Sequence, residues 1–152
     1  MTQEIPQILL VEDNPKDVKL TVLALHEDNV VNAIQVARDG EEALDVLFCR
    51  GDFTSRTFDN PPRLVLLDLK LPKVDGLEVL RAVKSDPRTK AIPVVVLTSS
   101  CEECDLVESY KWGVNAYIQK PVAFDSFRHA VKQLGLFWLV VNQPPPQASF
   151  RA

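Results

Sequence analysis

Four groups in this sequence could do chemistry together: the acid pair Glu12–Asp13, the aspartate Asp68, the hydroxyl of Thr98 and the ammonium of Lys120. Three carboxylates within a few ångströms raise one another's pKa, so the cluster is unfavourable unless a cation joins it. A hard divalent ion, Mg2+ or Mn2+, resolves this. Asp13 and Asp68 suit direct ligation, Glu12 ligation through water, and the backbone carbonyl of Lys70 completes an all-oxygen set. Carboxylates alone could be a passive metal site, but Lys120 and Thr98 add a positive charge and a donor, which a site expecting an anion needs. Phosphoryl transfer uses these parts, with Asp68 as the nucleophile and Lys120 neutralising charge on the transferred group. An ionised carboxylate needs no general base. That agrees with His26 and His129, which both fall on predicted helices away from the cluster. An acyl phosphate is reactive, so the product suits a transient switch.

The elements that must position these groups are short apolar runs. Residues 7–11 end at Glu12–Asp13, the run 63–72, bounded by Pro62 and Pro72, delivers Asp68, residues 93–97 stop at Thr98 and 116–119 at Lys120. Runs this short, bounded by turn residues and prolines, read as strands buried on both faces of a parallel sheet. In an open parallel sheet the ligand crevice lies beyond the carboxyl ends of the strands, where residues distant in sequence converge. A second strand is expected over 33–36. Helical periodicity separates the strands, and this alternation implies right-handed crossovers. The first helix starts at Asn14–Pro15, a cap followed by a proline at the first helical position, and ends near Asn29. The second starts at Asp39–Gly40 and the third at Asp75–Gly76, with Asp86–Pro87 closing the third. The fourth is expected to be capped by Ser99 or Ser100 and closed by Gly113. The fifth begins near Asp125 and becomes apolar all round from Leu136 to Val141, including Phe137 and Trp138. Such a helix needs cover on more than one side, from the chain's own sheet or from a second subunit; the second subunit is favoured because so much aromatic surface is costly to expose. Periodicity stops over residues 51–62, a long loop, and the proline-rich residues 144–152 are expected to be disordered.

With 152 residues the chain reads as one domain, residues 1–143, without a separate output domain. A net charge of −4 argues against a nucleic-acid surface. No run is long enough to cross a bilayer and no signal peptide is evident, so a cytoplasmic protein is expected. Cys49, Cys101 and Cys104 make no disulfide framework. Cys101 and Cys104 have the C-x-x-C spacing of a thiol–disulfide site, but that reading leaves Asp13, Asp68 and Lys120 unexplained.

The combination of Glu12–Asp13, Asp68 within Leu66–Leu67–Asp68–Leu69–Lys70–Leu71–Pro72, Asp75–Gly76, Thr98–Ser99 and Lys120–Pro121 resembles the receiver domain of two-component response regulators over nearly the whole chain. The resemblance implies a flavodoxin-like, doubly wound α/β fold with a five-stranded sheet in the order 2-1-3-4-5. It implies Asp68 as phosphoacceptor from a sensor histidine kinase, a cis Lys120–Pro121 peptide, and a switch through Thr98 and Tyr117. It implies a signalling protein that assists its own phosphorylation and dephosphorylation. The 51–62 insertion, the long last helix with Phe137–Trp138 and the proline tail are similar to single-domain regulators of bacterial, especially cyanobacterial, phytochromes. That second resemblance implies a phytochrome kinase as partner and a homodimer through the fourth helix, fifth strand and fifth helix. The rival within the same fold is an unphosphorylated pseudo-receiver serving as an interaction module.

Overall fold

The computed structural model describes residues 8–27, 33–99, 102–121 and 123–151. Five parallel strands, β1 (Ile8–Val11), β2 (Ile34–Ala37), β3 (Leu64–Leu67), β4 (Val94–Thr98) and β5 (Ala116–Gln119), form one sheet in the order β2-β1-β3-β4-β5. The helices α1 (Pro15–His26), α2 (Gly40–Leu47), α3 (Gly76–Ser85), α4 (Glu103–Lys111) and α5 (Phe124–Leu136) cover both faces. This is the doubly wound arrangement with the expected order. Side chains alternate across the sheet, so Leu9, Val11, Val65, Leu67, Val94 and Val96 pack with α2 and α3. Ile8, Leu10, Leu64, Leu66, Val95 and Leu97 pack with α1 and α5 on the other face. The strands β1, β3 and β4 are buried throughout, as strands covered on both faces must be.

Local signals set the helix starts. The Asn14 side chain accepts from Lys16 N at 2.9 Å, and Pro15 follows at the first helical position. Asp39 accepts from Glu42 N at 2.8 Å. The α4 start differs from expectation: the helix begins at Glu103, after Glu102, whose side chain does not cap its backbone N–H groups, so Ser99 precedes the helix, and Ser100 and Cys101 lie outside the described residues. Gln7 and Asn29, the expected ends of β1 and α1, also lie outside them. Gly113 does terminate the α4 region, at φ +90°, where a side chain would be strained.

The chain beyond α5 departs from expectation twice. The apolar segment continues α5 as a π-helical turn, Phe137–Val141, closed by Asn142 N donating to Phe137 O at 2.7 Å. Wider winding redistributes its side chains: Leu139 is buried and Trp138 packs on the α1/α5 side of the core, while Phe137, Val140 and Val141 stand outward. Residues 144–151, expected to be disordered, instead run back beneath the sheet. A 3-10 turn, Gln147–Phe150, inserts Phe150 into the α2/α3 side of the core at 5% exposure. One aromatic side chain overrides three prolines, because burying it outweighs ordering a segment that the prolines had already stiffened. The 51–62 loop is ordered too: it opens with a 3-10 turn, Gly51–Phe53, and Phe58 lies edge-on to Phe48 with the Arg88 guanidinium 4.3 Å above its ring.

Candidate functional site

Strand register assembles the site. Val11 pairs with Leu67 across β1 and β3, so the next residues, Glu12 and Asp68, emerge side by side at the carboxyl edge. Backbone bonds continue the ladder one step: Glu12 N donates to Ala37 O and Asp68 N to Val11 O, both at 3.0 Å. Thr98 closes β4 opposite Gln119, and Lys120 N donates to Thr98 O at 2.7 Å. Behind Asp68, Gly76 lets α3 start against the loop: a Cβ there would lie 2.3 Å from the Asp68 carbonyl oxygen. That close approach is the physical content of Asp75–Gly76.

The side chains converge as expected. Carboxylate oxygens of Glu12, Asp13 and Asp68 all lie within 4.8 Å of one another; Glu12 and Asp68 are buried and Asp13 is exposed. Lys120 Nζ donates to Glu12 Oε2 at 2.6 Å and Asp68 Oδ2 at 3.3 Å. The Thr98 hydroxyl donates to Asp68 Oδ1 at 2.7 Å. The sequence reading missed Asp17, in the first turn of α1, whose Oδ2 accepts from Lys120 at 3.0 Å. Its signal was present: an acid four residues after Asp13, on a helix whose start the Asn14–Pro15 pair marks. Tyr117 sits half-buried against the α2/α3 side of the core, on the sheet edge next to Val96. Lys70 turns its ammonium to Asp105 of α4 at 3.4 Å.

One expectation fails. No peptide bond among the described residues is cis, so Lys120–Pro121 is trans. The trans form of an X–Pro bond is favoured by about 0.5–1 kcal/mol, and with it Lys120 already makes its backbone bond to β4 and its three carboxylate contacts.

Electrostatically the site is short of positive charge. Burial pushes the Glu12 carboxyl well above the usual carboxylate range, and the Asp68 charge adds to that, against the pull of Lys120. Burial works against the Lys120 ammonium as well, but Glu12, Asp68 and Asp17 together outweigh it and raise its pKa. A single ammonium therefore faces three carboxylates, with Asp13 beside them. All-oxygen donors, an exposed Asp13 leaving room for water, and this unbalanced negative charge fit a hard divalent cation. Of the Cys101–Cys104 pair, Cys101 lies outside the described residues, and Glu102 holds the exposed Cys104 thiol above its ordinary value, the reverse of what a reactive thiolate needs. A cavity of about 260 Å³ bounded by Asp59, Pro61, Arg63, Pro93, Pro145 and Phe150 opens at the opposite, amino-terminal edge of the sheet, away from these groups.

Residues 8–132 match the response regulator receiver domain model. The chain is 43% identical to the probable methanogenesis regulatory protein FilR2 of Methanothrix harundinacea over 93% of this chain and 88% of that protein. It is 40% identical to the response regulator Rcp1 of Synechocystis over 87% and 88% of the two chains. The Mn(2+)-bound form of Rcp1 superposes with a TM-score of 0.84, covering 92% of this chain and 99% of that one at 36% identity. The phosphorylated cyanobacterial phytochrome response regulator RcpA superposes with a TM-score of 0.86 at 42% identity, covering 93% and 99%.

Proposed function

The chain belongs to the response regulator receiver family, and from that premise we propose that it is a signalling phosphoacceptor that takes a phosphoryl group on Asp68 from a sensor histidine kinase. The observation that carries this reading is the meeting of one ammonium, Lys120, and one hydroxyl donor, Thr98, on the same buried carboxylate. A carboxylate held only as a metal ligand requires neither. Asp68 Oδ attacks phosphorus as the bond to the donor's imidazole nitrogen breaks. The Lys120 ammonium, freed from part of its contact with Asp68, pairs with the phosphoryl oxygens. Mg2+ or Mn2+, held by Asp13, Asp68 and the Lys70 carbonyl with Glu12 through water, would supply the charge neutralisation that lets one anion approach another. The Thr98 hydroxyl passes from Asp68 to a phosphoryl oxygen, and Tyr117 reports that change on the surface made by α4, β5 and α5. The same site assists hydrolysis of the acyl phosphate, so the signal is self-limiting.

The similarity to the cyanobacterial phytochrome response regulator RcpA supports a phytochrome kinase as donor, and the outward Phe137, Val140 and Val141 support a homodimer. A labelled, autophosphorylated phytochrome kinase mixed with this chain should lose its label to the wild type and keep it with Asp68→Asn. Label that stays on the kinase, while a small-molecule donor phosphorylates the same preparation, would reject the phytochrome pairing and leave Asp68 in place.

A further inference from the structure

An ammonium carries three N–H donors and no acceptor. Around Lys120 Nζ stand three carboxylate oxygens, one for each donor: Glu12 Oε2 at 2.6 Å, Asp17 Oδ2 at 3.0 Å and Asp68 Oδ2 at 3.3 Å. These acids are not equivalent. Glu12 and Asp68 belong, with Asp13, to the group whose oxygens lie within 4.8 Å of one another and fit a divalent ion, whereas Asp17 stands outside that group, on the first turn of α1, with a side chain 29% exposed. Its backbone is fixed by the cap that starts the helix: Asn14 Oδ1 accepts from Asp17 N at 3.4 Å, and Asn14 N donates to Glu12 Oε1 at 3.1 Å. An ion arriving at Glu12 and Asp68 therefore meets an ammonium already bound to the same two side chains, and like charges that close repel. Among the described residues, Asp17 is the one carboxylate on Lys120 that lies outside the cation group.

We propose that Asp17 is a positioning residue: it holds the Lys120 ammonium at the margin of the acid cluster while a divalent ion takes Glu12 and Asp68. The proposal rests on the reading that Glu12, Asp13 and Asp68 hold such an ion. Cation and ammonium compete for the same oxygens, and Asp17 relieves the competition by offering the ammonium a charged acceptor of its own. With Asp17 in place the ion binds and Lys120 stays beside Asp68, ready for an arriving anion. Without it, Lys120 has only Glu12 and Asp68 to hold, so the ion must displace a buried cation that has no other carboxylate to move to, and that displacement is costly. Asp17 thus acts on the ion through Lys120, and its effect should disappear when the ammonium does.

The test is a Mn2+ titration of the full chain, with free ion read by electron paramagnetic resonance and no phosphoryl donor present. Asp17→Asn, which keeps the shape and loses the charge, should bind Mn2+ about tenfold more weakly than wild type, the effect of losing one charge-assisted bond to the ammonium. Asp17→Glu, which returns a carboxylate on a longer, partly exposed side chain, should restore most of the affinity. Lys120→Gln, which keeps hydrogen-bond donors for the buried acids without the charge, should bind more tightly than wild type. Adding Asp17→Asn to Lys120→Gln should then change the affinity by less than about twofold, the range of independent sites. Wild-type affinity in Asp17→Asn overturns the proposal. So does an equal tenfold loss in the Lys120→Gln background, which would make Asp17 a charge acting directly on the ion. A wild type that binds no Mn2+ overturns the cation reading itself, so the two failures are distinct.

Discussion

Lys120 faces three carboxylates at once, an imbalance of charge that a divalent cation would offset. The acids at 12, 13 and 68, the hydroxyl at 98 and the lysine at 120 were legible in the sequence because each terminates an apolar run. Asp17 was not, because a helical acid near an N-terminus ordinarily has a sufficient explanation in the helix dipole. The same blindness applies to Glu27, at the C-terminal end of α1, which accepts two hydrogen bonds from the Arg128 guanidinium of α5, with Lys132 also nearby at 3.6 Å. No local pattern links positions a hundred residues apart. The Arg128 bond, helped by the Lys132 charge, holds the Glu27 carboxyl down at about 2 against an ordinary 4.5. Since the folded value is the lower one, the unfolded chain takes up the proton first as pH falls. The stability from this pair is therefore whole above about 4.5 and lost between there and about 2. Acid unfolding followed by circular dichroism should show a shallower loss for Glu27→Gln across that window. An unchanged slope would mean that the pair contributes nothing in solution.

At the scale of elements, the order strand–helix–strand was readable from periodicity, and the starts of α1, α2 and α3 from Asn14–Pro15, Asp39–Gly40 and Asp75–Gly76. Three elements were misread, each for a tertiary reason. The α4 start was placed early because Ser99 and Ser100 look like caps, yet the buried residues of that helix are the polar Asp105 and Ser109, a pattern no apolar periodicity can announce. The apolar run at 136–141 gave no hint of a π turn, which depends on seating Leu139 and Trp138 against the core. The tail was read from its prolines, whereas Phe150 decides its position. Phe150→Ala should lower unfolding stability by about 3 kcal/mol, the usual loss for a buried phenylalanine, read as a fall in the urea midpoint. Phosphorylation at Asp68 should be unaffected, because the tail lies against Asp59, Arg63 and Pro93, at the amino-terminal edge of the sheet. A midpoint equal to wild type would mean that the tail is not bound in solution.

Across the whole molecule, the two edges of the sheet differ. Its carboxyl edge gathers Glu12, Asp68 and Lys120, and its amino edge is closed by the tail and by Lys84, which donates to Lys90 O, Ile92 O and Asn115 Oδ1 at 2.8–3.0 Å. Outward apolar side chains on α4 and beyond α5 are what a homodimer would cover, and no described helix is long and apolar enough to cross a membrane. Trp138 packs inward, so Phe137→Asp with Val140→Asp is the informative variant: it should sediment as a monomer and the wild type as a dimer. Equal sedimentation would remove this surface from the assembly. The strand order itself followed from family resemblance, since alternation alone allows several orders for a parallel sheet.

For the proposed function, Asp68 must become an acyl phosphate in a site completed by a divalent ion. Intact-mass spectrometry after incubation with acetyl phosphate tests this directly. One phosphoryl group should add to the wild type with Mg2+ present, none when the ion is chelated, and none to Asp68→Asn. A wild type that gains no mass, or an Asp68→Asn variant that gains as much, would contradict it.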